Sequence, residues 1–138
     1  LLYQLDEDRK AGGKTTRIAL AEAAFKRAFR AGIPIVFGSG ATSDIIPHGI
    51  GADQFKYYVQ WGMTSAQALQ TAYLPAAHML NYGMDKDIGS LEKGKFADII
   101  AVAGNPLADV GEMERVKFVM KGGRVIRNEM TPAAVAAR

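Results

Sequence analysis

Cysteine is absent from the 138-residue sequence, which excludes disulfide bonds and thiolate metal sites. No apolar run approaches the roughly 18 residues that a membrane span requires, so no membrane association is expected. No secretory signal can be recognised either. The first residue is Leu1 and not methionine, which predicts that the natural N-terminus is missing. The compartment stays open, with the cytoplasm favoured.

Charge of one sign is not concentrated anywhere in the sequence, although the net charge is +3 and the pI is near 9.2. Lysine and arginine stand beside acidic residues, as in LDEDRK and LEKGKF, and no basic stripe carries interleaved aromatic residues. Nucleic-acid binding is therefore not expected. The apolar content of 49% and the charged content of 22% are typical of a soluble globular domain.

The first half of the sequence has the pattern of a helix followed by a buried strand. Apolar residues recur every three or four positions from Thr16 to Ala31, which predicts a helix with Thr16 as N-cap and Gly32 as C-terminal cap. Residues 33–37, IPIVF, are apolar without alternation, as in a strand of a parallel sheet that is covered on both faces.

Further helices are predicted between the following loop and residue 83. The segment 52–62 has helical periodicity, and Thr64 with Gln67 has the spacing of a capping box that opens a third helix. Pro75 suits the first turn of a fourth helix, which is expected to end at Gly83. The sequence thus predicts helix, strand and then several short helices.

The pattern changes to short strands after residues 84–88. A β-rich run covers residues 97–102, NPL at 105–107 indicates a turn, and Gly122-Gly123 between RVKFVMK and RVIRN predicts a two-residue hairpin. Val119 alone breaks the alternation of the first hairpin strand. We therefore divide the chain into residues 1–87, residues 88–130 and a tail over 131–138.

Chemistry-bearing side chains concentrate in GSGATSDIIPHG, directly after the predicted strand. Loops at the carboxyl ends of parallel strands hold the active sites of α/β proteins. Asp44 can cap its own loop or face a metal or substrate, and His48 can be a structural or a site residue. A phosphate-binding loop is a further interpretation, although the lysine of the GK[ST] signature is missing. Outside this loop, a structural role is expected for His78, Asp85, Asp87 and Asp98.

Three segments together resemble the C-terminal portion of the amidohydrolase superfamily, in its imidazolonepropionase-like and Xaa-Pro dipeptidase-like branch. AGIPIVFGSGA is similar to the eighth barrel strand, usually G-[IV]-x-[IV]-x-[FL]-G-T-D-A. PHG and the stretch QFKYYVQWGMTSAQALQTAYLPAAHMLNYG resemble the loop and helices that follow it. GSLEKGKFADIIAVAGNPLADV and VKFVMKGGRVI resemble the closing strands. The resemblance implies an α/β fold: a C-terminal fragment of a (β/α)8 TIM barrel, with its last strand and helices, followed by strands of a small β-sandwich.

The resemblance also implies a metal-dependent hydrolase with zinc or another divalent metal, whose ligands come mostly from upstream sequence. The family's eighth-strand aspartate falls at Gly40, so no metal ligand is assigned in this chain. Asp44 could take over the role of that aspartate, and His48 is predicted to act with it as a catalytic residue. Ser39 and His48 are predicted to contact the substrate.

The expected function is hydrolysis of an amide or peptide-type C–N bond, with a small amide or dipeptide as substrate. The alternative is a non-catalytic truncated module or subunit that acts through partner contacts. A single strand of a parallel barrel leaves unpaired edges. The chain is therefore expected to form a homo-oligomer, to associate with the rest of the barrel, or to be poorly stable alone.

Overall fold

The computed structural model describes residues 10, 12, 16–38, 40, 48–80 and 83–130. The helices with described bounds are α1 (Thr16–Arg30), α2 (Gln54–Gln60), α3 (Ser65–Gln70) and α4 (Leu74–Met79). Short 3-10 helices cover Gly51–Asp53, Met84–Lys86 and Val110–Glu114. The strands are β1 (Ile99–Ala101), β2 (Phe118–Lys121) and β3 (Arg124–Asn128). No helix in these ranges is long and apolar enough to cross a membrane.

Helix α1 confirms the helix predicted from the apolar spacing of residues 16–31. The helix ends at Arg30, and the turn after it contains Gly32, whose left-handed φ of 70° is one that glycine adopts without a steric penalty. Beyond that turn, the Ile33 amide donates to the Ala28 carbonyl at 3.1 Å, which satisfies a carbonyl of the last helical turn. Phe25 and Phe29, on the apolar face of α1, pack against the core.

The buried strand predicted at residues 33–37 is not formed by the described residues alone. The segment is not paired with any strand among the described residues, and the side chain of Ile33 is 57% exposed. Two kinds of contact hold the segment against the helices. The side chains of Ile35 and Phe37 pack on the core, and the Phe37 amide donates to the Thr71 carbonyl at 3.0 Å. A parallel strand is buried by neighbouring strands on both sides, and the described part of the chain supplies none.

The short helices after residue 50 follow the sequence prediction closely. The segment predicted at 52–62 begins with a 3-10 turn and continues as α2. The capping box is present, since the Gln67 amide donates to Thr64 Oγ1 at 3.2 Å and Gln67 Oε1 accepts from the Thr64 amide at 2.9 Å. Pro75 lies in the first turn of α4. Helix α4 stops at Met79, earlier than the predicted end at Gly83.

Replacing Thr64 by alanine is expected to destabilise the chain by about 1 kcal/mol, because the start of α3 then loses the acceptor of one backbone N–H. Urea denaturation of the two proteins at one chain concentration measures the difference. Ser65→Ala, one residue further along, is the control and is expected to change the free energy of unfolding by less than about 0.5 kcal/mol. Equal effects of the two substitutions would show that the cap does not stabilise α3.

The C-terminal half forms a three-stranded antiparallel sheet in the order β1-β2-β3. The predicted hairpin is confirmed, and Gly122 and Gly123 have φ values of 55° and 77°, which suit a turn with two left-handed residues. A register shift between Val119 and Met120 accounts for the break in the alternation at Val119. Of the β-rich run predicted at residues 97–102, only the three residues of β1 form a strand.

The core joins the helices to the 3-10 helix that precedes β2. Its buried members come from α2, the α2–α3 turn, α3 and this 3-10 helix: Phe55, Tyr58, Met63, Ala68, Leu69, Val110 and Met113. On the surface above them, Lys56 of α2 binds Glu114 at 2.6 Å and lies 3.6 Å from Asp53. The hydrogen bond with Glu114 is the main reason why the pKa of Lys56 is raised.

Candidate functional site

The candidate site lies where the segment 33–37 ends. Phe37, its last apolar residue, stacks on Phe55 of α2 with ring centroids 4.6 Å apart and an interplanar angle of 28°. This stack and the bond from Phe37 to the Thr71 carbonyl fix the end of the segment against the helices. Gly38 follows Phe37 directly, and the next continuously described segment begins at His48, shortly before the 3-10 helix that leads into α2. The loop therefore begins directly after a residue that is held against the helices.

Gly40 occupies the position where the resemblance expects an aspartate. Its φ is 61°, and a Cβ built there would meet no atom of the described residues within 4 Å. Among the described residues no atom blocks a carboxylate at this position, although the left-handed φ would strain it, less for aspartate than for most residues. The absence of the side chain is a property of the sequence and is not forced by the fold.

The predicted site residues differ in what the structure says of them. His48 is exposed and lies in a turn before Gly49, whose φ is 101°. Ser39 and Asp44 lie outside the described residues. Of these three residues the structure therefore describes His48 alone, and the proximity of the three side chains stays a prediction.

The described residues do not fit a metal ion by themselves. No group of three or more histidine, cysteine, aspartate or glutamate side chains converges anywhere in these ranges. His78 and Asp85 form a pair, with Nδ1 3.2 Å from Oδ2. This pair joins α4 to the next 3-10 helix across an exposed surface, in line with the structural role expected for both. Asp98 is also structural, since its carboxylate accepts from the Gly122 amide at 2.6 Å.

A buried polar pair behind the site escaped the sequence analysis. Gln54, 1% exposed, donates from Nε2 to the Tyr58 hydroxyl at 2.6 Å. No group of the described residues forms a hydrogen bond with its Oε1. Burial raises the pKa of Tyr58 above its usual value, and the bond from Gln54 opposes this shift more weakly. The one available signal for this pair was the position of the glutamine, next to Phe55 on the apolar side of α2. Periodicity predicts that this side of the helix is buried.

Comparison with known proteins identifies the family. The model of the Amidohydrolase family matches residues 15–126, so the chain belongs to that family. Ochratoxinase from Aspergillus niger is 33% identical over 109 residues, which cover 75% of this chain.

Solved structures of the same family have the same fold. A Xaa-Pro dipeptidase crystallised with methionine in its active site is 36% identical over 78% of this chain, with a TM-score of 0.72. A structure described as a prolidase from Bifidobacterium longum is 27% identical over 83% of the chain, with a TM-score of 0.70. The mixture of helices with an antiparallel sheet is thereby confirmed.

The chain spans about a quarter of the length of these relatives. It covers 22% of the ochratoxinase, 25% of the dipeptidase and 29% of the Bifidobacterium longum protein.

Proposed function

We propose that this chain is the C-terminal part of a metal-dependent amidohydrolase that hydrolyses an amide or peptide-type C–N bond with metal-activated water. The observation that carries the proposal is the likeness to the Xaa-Pro dipeptidase, at 36% identity and a TM-score of 0.72. Ochratoxinase, at 33% identity, supports the same class of bond. The substrate proposed is a small amide or a dipeptide.

Within this function, residues 33–37 are the last strand of the barrel, and the loop that follows them faces the substrate. The exposed side chain of Ile33 supports this role, as does the lack of a strand paired with the segment among the described residues, since neighbouring barrel strands would cover both. Asp44 serves as the carboxylate that the family has four residues earlier, and acts as general base. Ser39 and His48 contact the substrate. Zinc or another divalent metal would be held by ligands outside the described residues.

The alternative is a non-catalytic module that acts through partner contacts. Gly40 favours it, because glycine supplies neither a metal ligand nor a proton acceptor at the strand end. The two functions differ in a simple observation. A hydrolase part gains activity toward aryl amides or Xaa-Pro dipeptides when it is joined to the upstream sequence of its gene and supplied with zinc. A non-catalytic module stays inactive in both forms.

Replacing His48 by alanine in the protein that includes the upstream sequence is expected to lower kcat/KM at least about tenfold, because a polar contact at the reacting group is lost. His78→Ala is the matched control. His78 is the other histidine of the sequence, is exposed and pairs with Asp85, and its loss is expected to leave kcat/KM unchanged. Equal kcat/KM values for the His48→Ala and His78→Ala proteins would refute the site assignment.

A further inference from the structure

We draw no further inference here: the strongest candidate, the apolar groove between β1 and the start of α4, carries none, because the chain spans about a quarter of the length of its relatives and nothing in the structure shows what covers this groove.

Discussion

Replacing Phe55 by alanine is expected to destabilise the chain by about 3–5 kcal/mol, the largest effect of any single substitution considered. Phe55 is 4% exposed and stacks on Phe37, so its truncation removes the contact between α2 and the segment 33–37. Apolar transfer energy is lost, and a cavity is left where the surrounding side chains can relax only in part. Denaturation in urea, monitored by circular dichroism, measures the loss.

Leu20→Ala is the control for Phe55→Ala. Leu20 lies on α1 and is mostly exposed, so its truncation is expected to change the free energy of unfolding by less than about 0.5 kcal/mol. Association is coupled to stability, so all chains are compared at one concentration. A loss below about 1 kcal/mol for Phe55→Ala would mean that the stacked rings do not form the centre of the core.

Replacing Gly89 by alanine is expected to cost roughly 2–4 kcal/mol, because two separate penalties act at this position. The φ of Gly89 is 89°, a value that residues with a side chain rarely adopt. A Cβ there would also lie 3.0 Å from the Cβ of Ala77 and 3.3 Å from the Cα of Leu74. Since Leu74 contributes backbone, α4 itself would have to move.

Gly94→Ala separates these two penalties. Gly94 has nearly the same φ, 95°, but in the part of the chain that the structure describes a Cβ there would meet nothing within 4 Å. Backbone strain alone is expected at Gly94, with a cost of about 1–2 kcal/mol. The difference between the two denaturation midpoints measures the contact of Gly89 with α4. Identical midpoints would show that the close approach to α4 has no energetic consequence.

Much of the local structure could be predicted because the causes of these elements are local. The spacing that forms α1, the box of Thr64 and Gln67, and the Gly122-Gly123 turn each involve residues that are close in sequence. The segment 33–37 behaved differently. Its composition shows that it prefers to be buried, but burial requires strands from elsewhere, and among the described residues none pairs with it. Gln54 was missed for a related reason, since pattern analysis assumes that buried positions are apolar.

The position and the chemistry of the candidate site are both predictions, and they rest on different grounds. The loop after residue 37 follows from the rule that active sites lie at the carboxyl ends of parallel strands, and the structure places His48 in an exposed turn of it. The roles of Ser39, Asp44 and His48 depended on the resemblance, because side chains that act together come from distant positions. Gly40 shows the same limit. The sequence shows that the carboxylate expected from the resemblance is missing there, but it does not show which residue replaces it.

The closure of the core by Val110 and Met113 has a consequence for synthesis on the ribosome. Phe55 and Tyr58 leave the exit tunnel well before these two residues, which complete their cluster. In the interval, the nascent chain carries aromatic side chains without their final neighbours, and such chains are open to aggregation and to capture by chaperones. Ribosome-bound chains that stop short of Val110 should thus be digested readily by added protease, and resistance should begin only once Met113 has emerged.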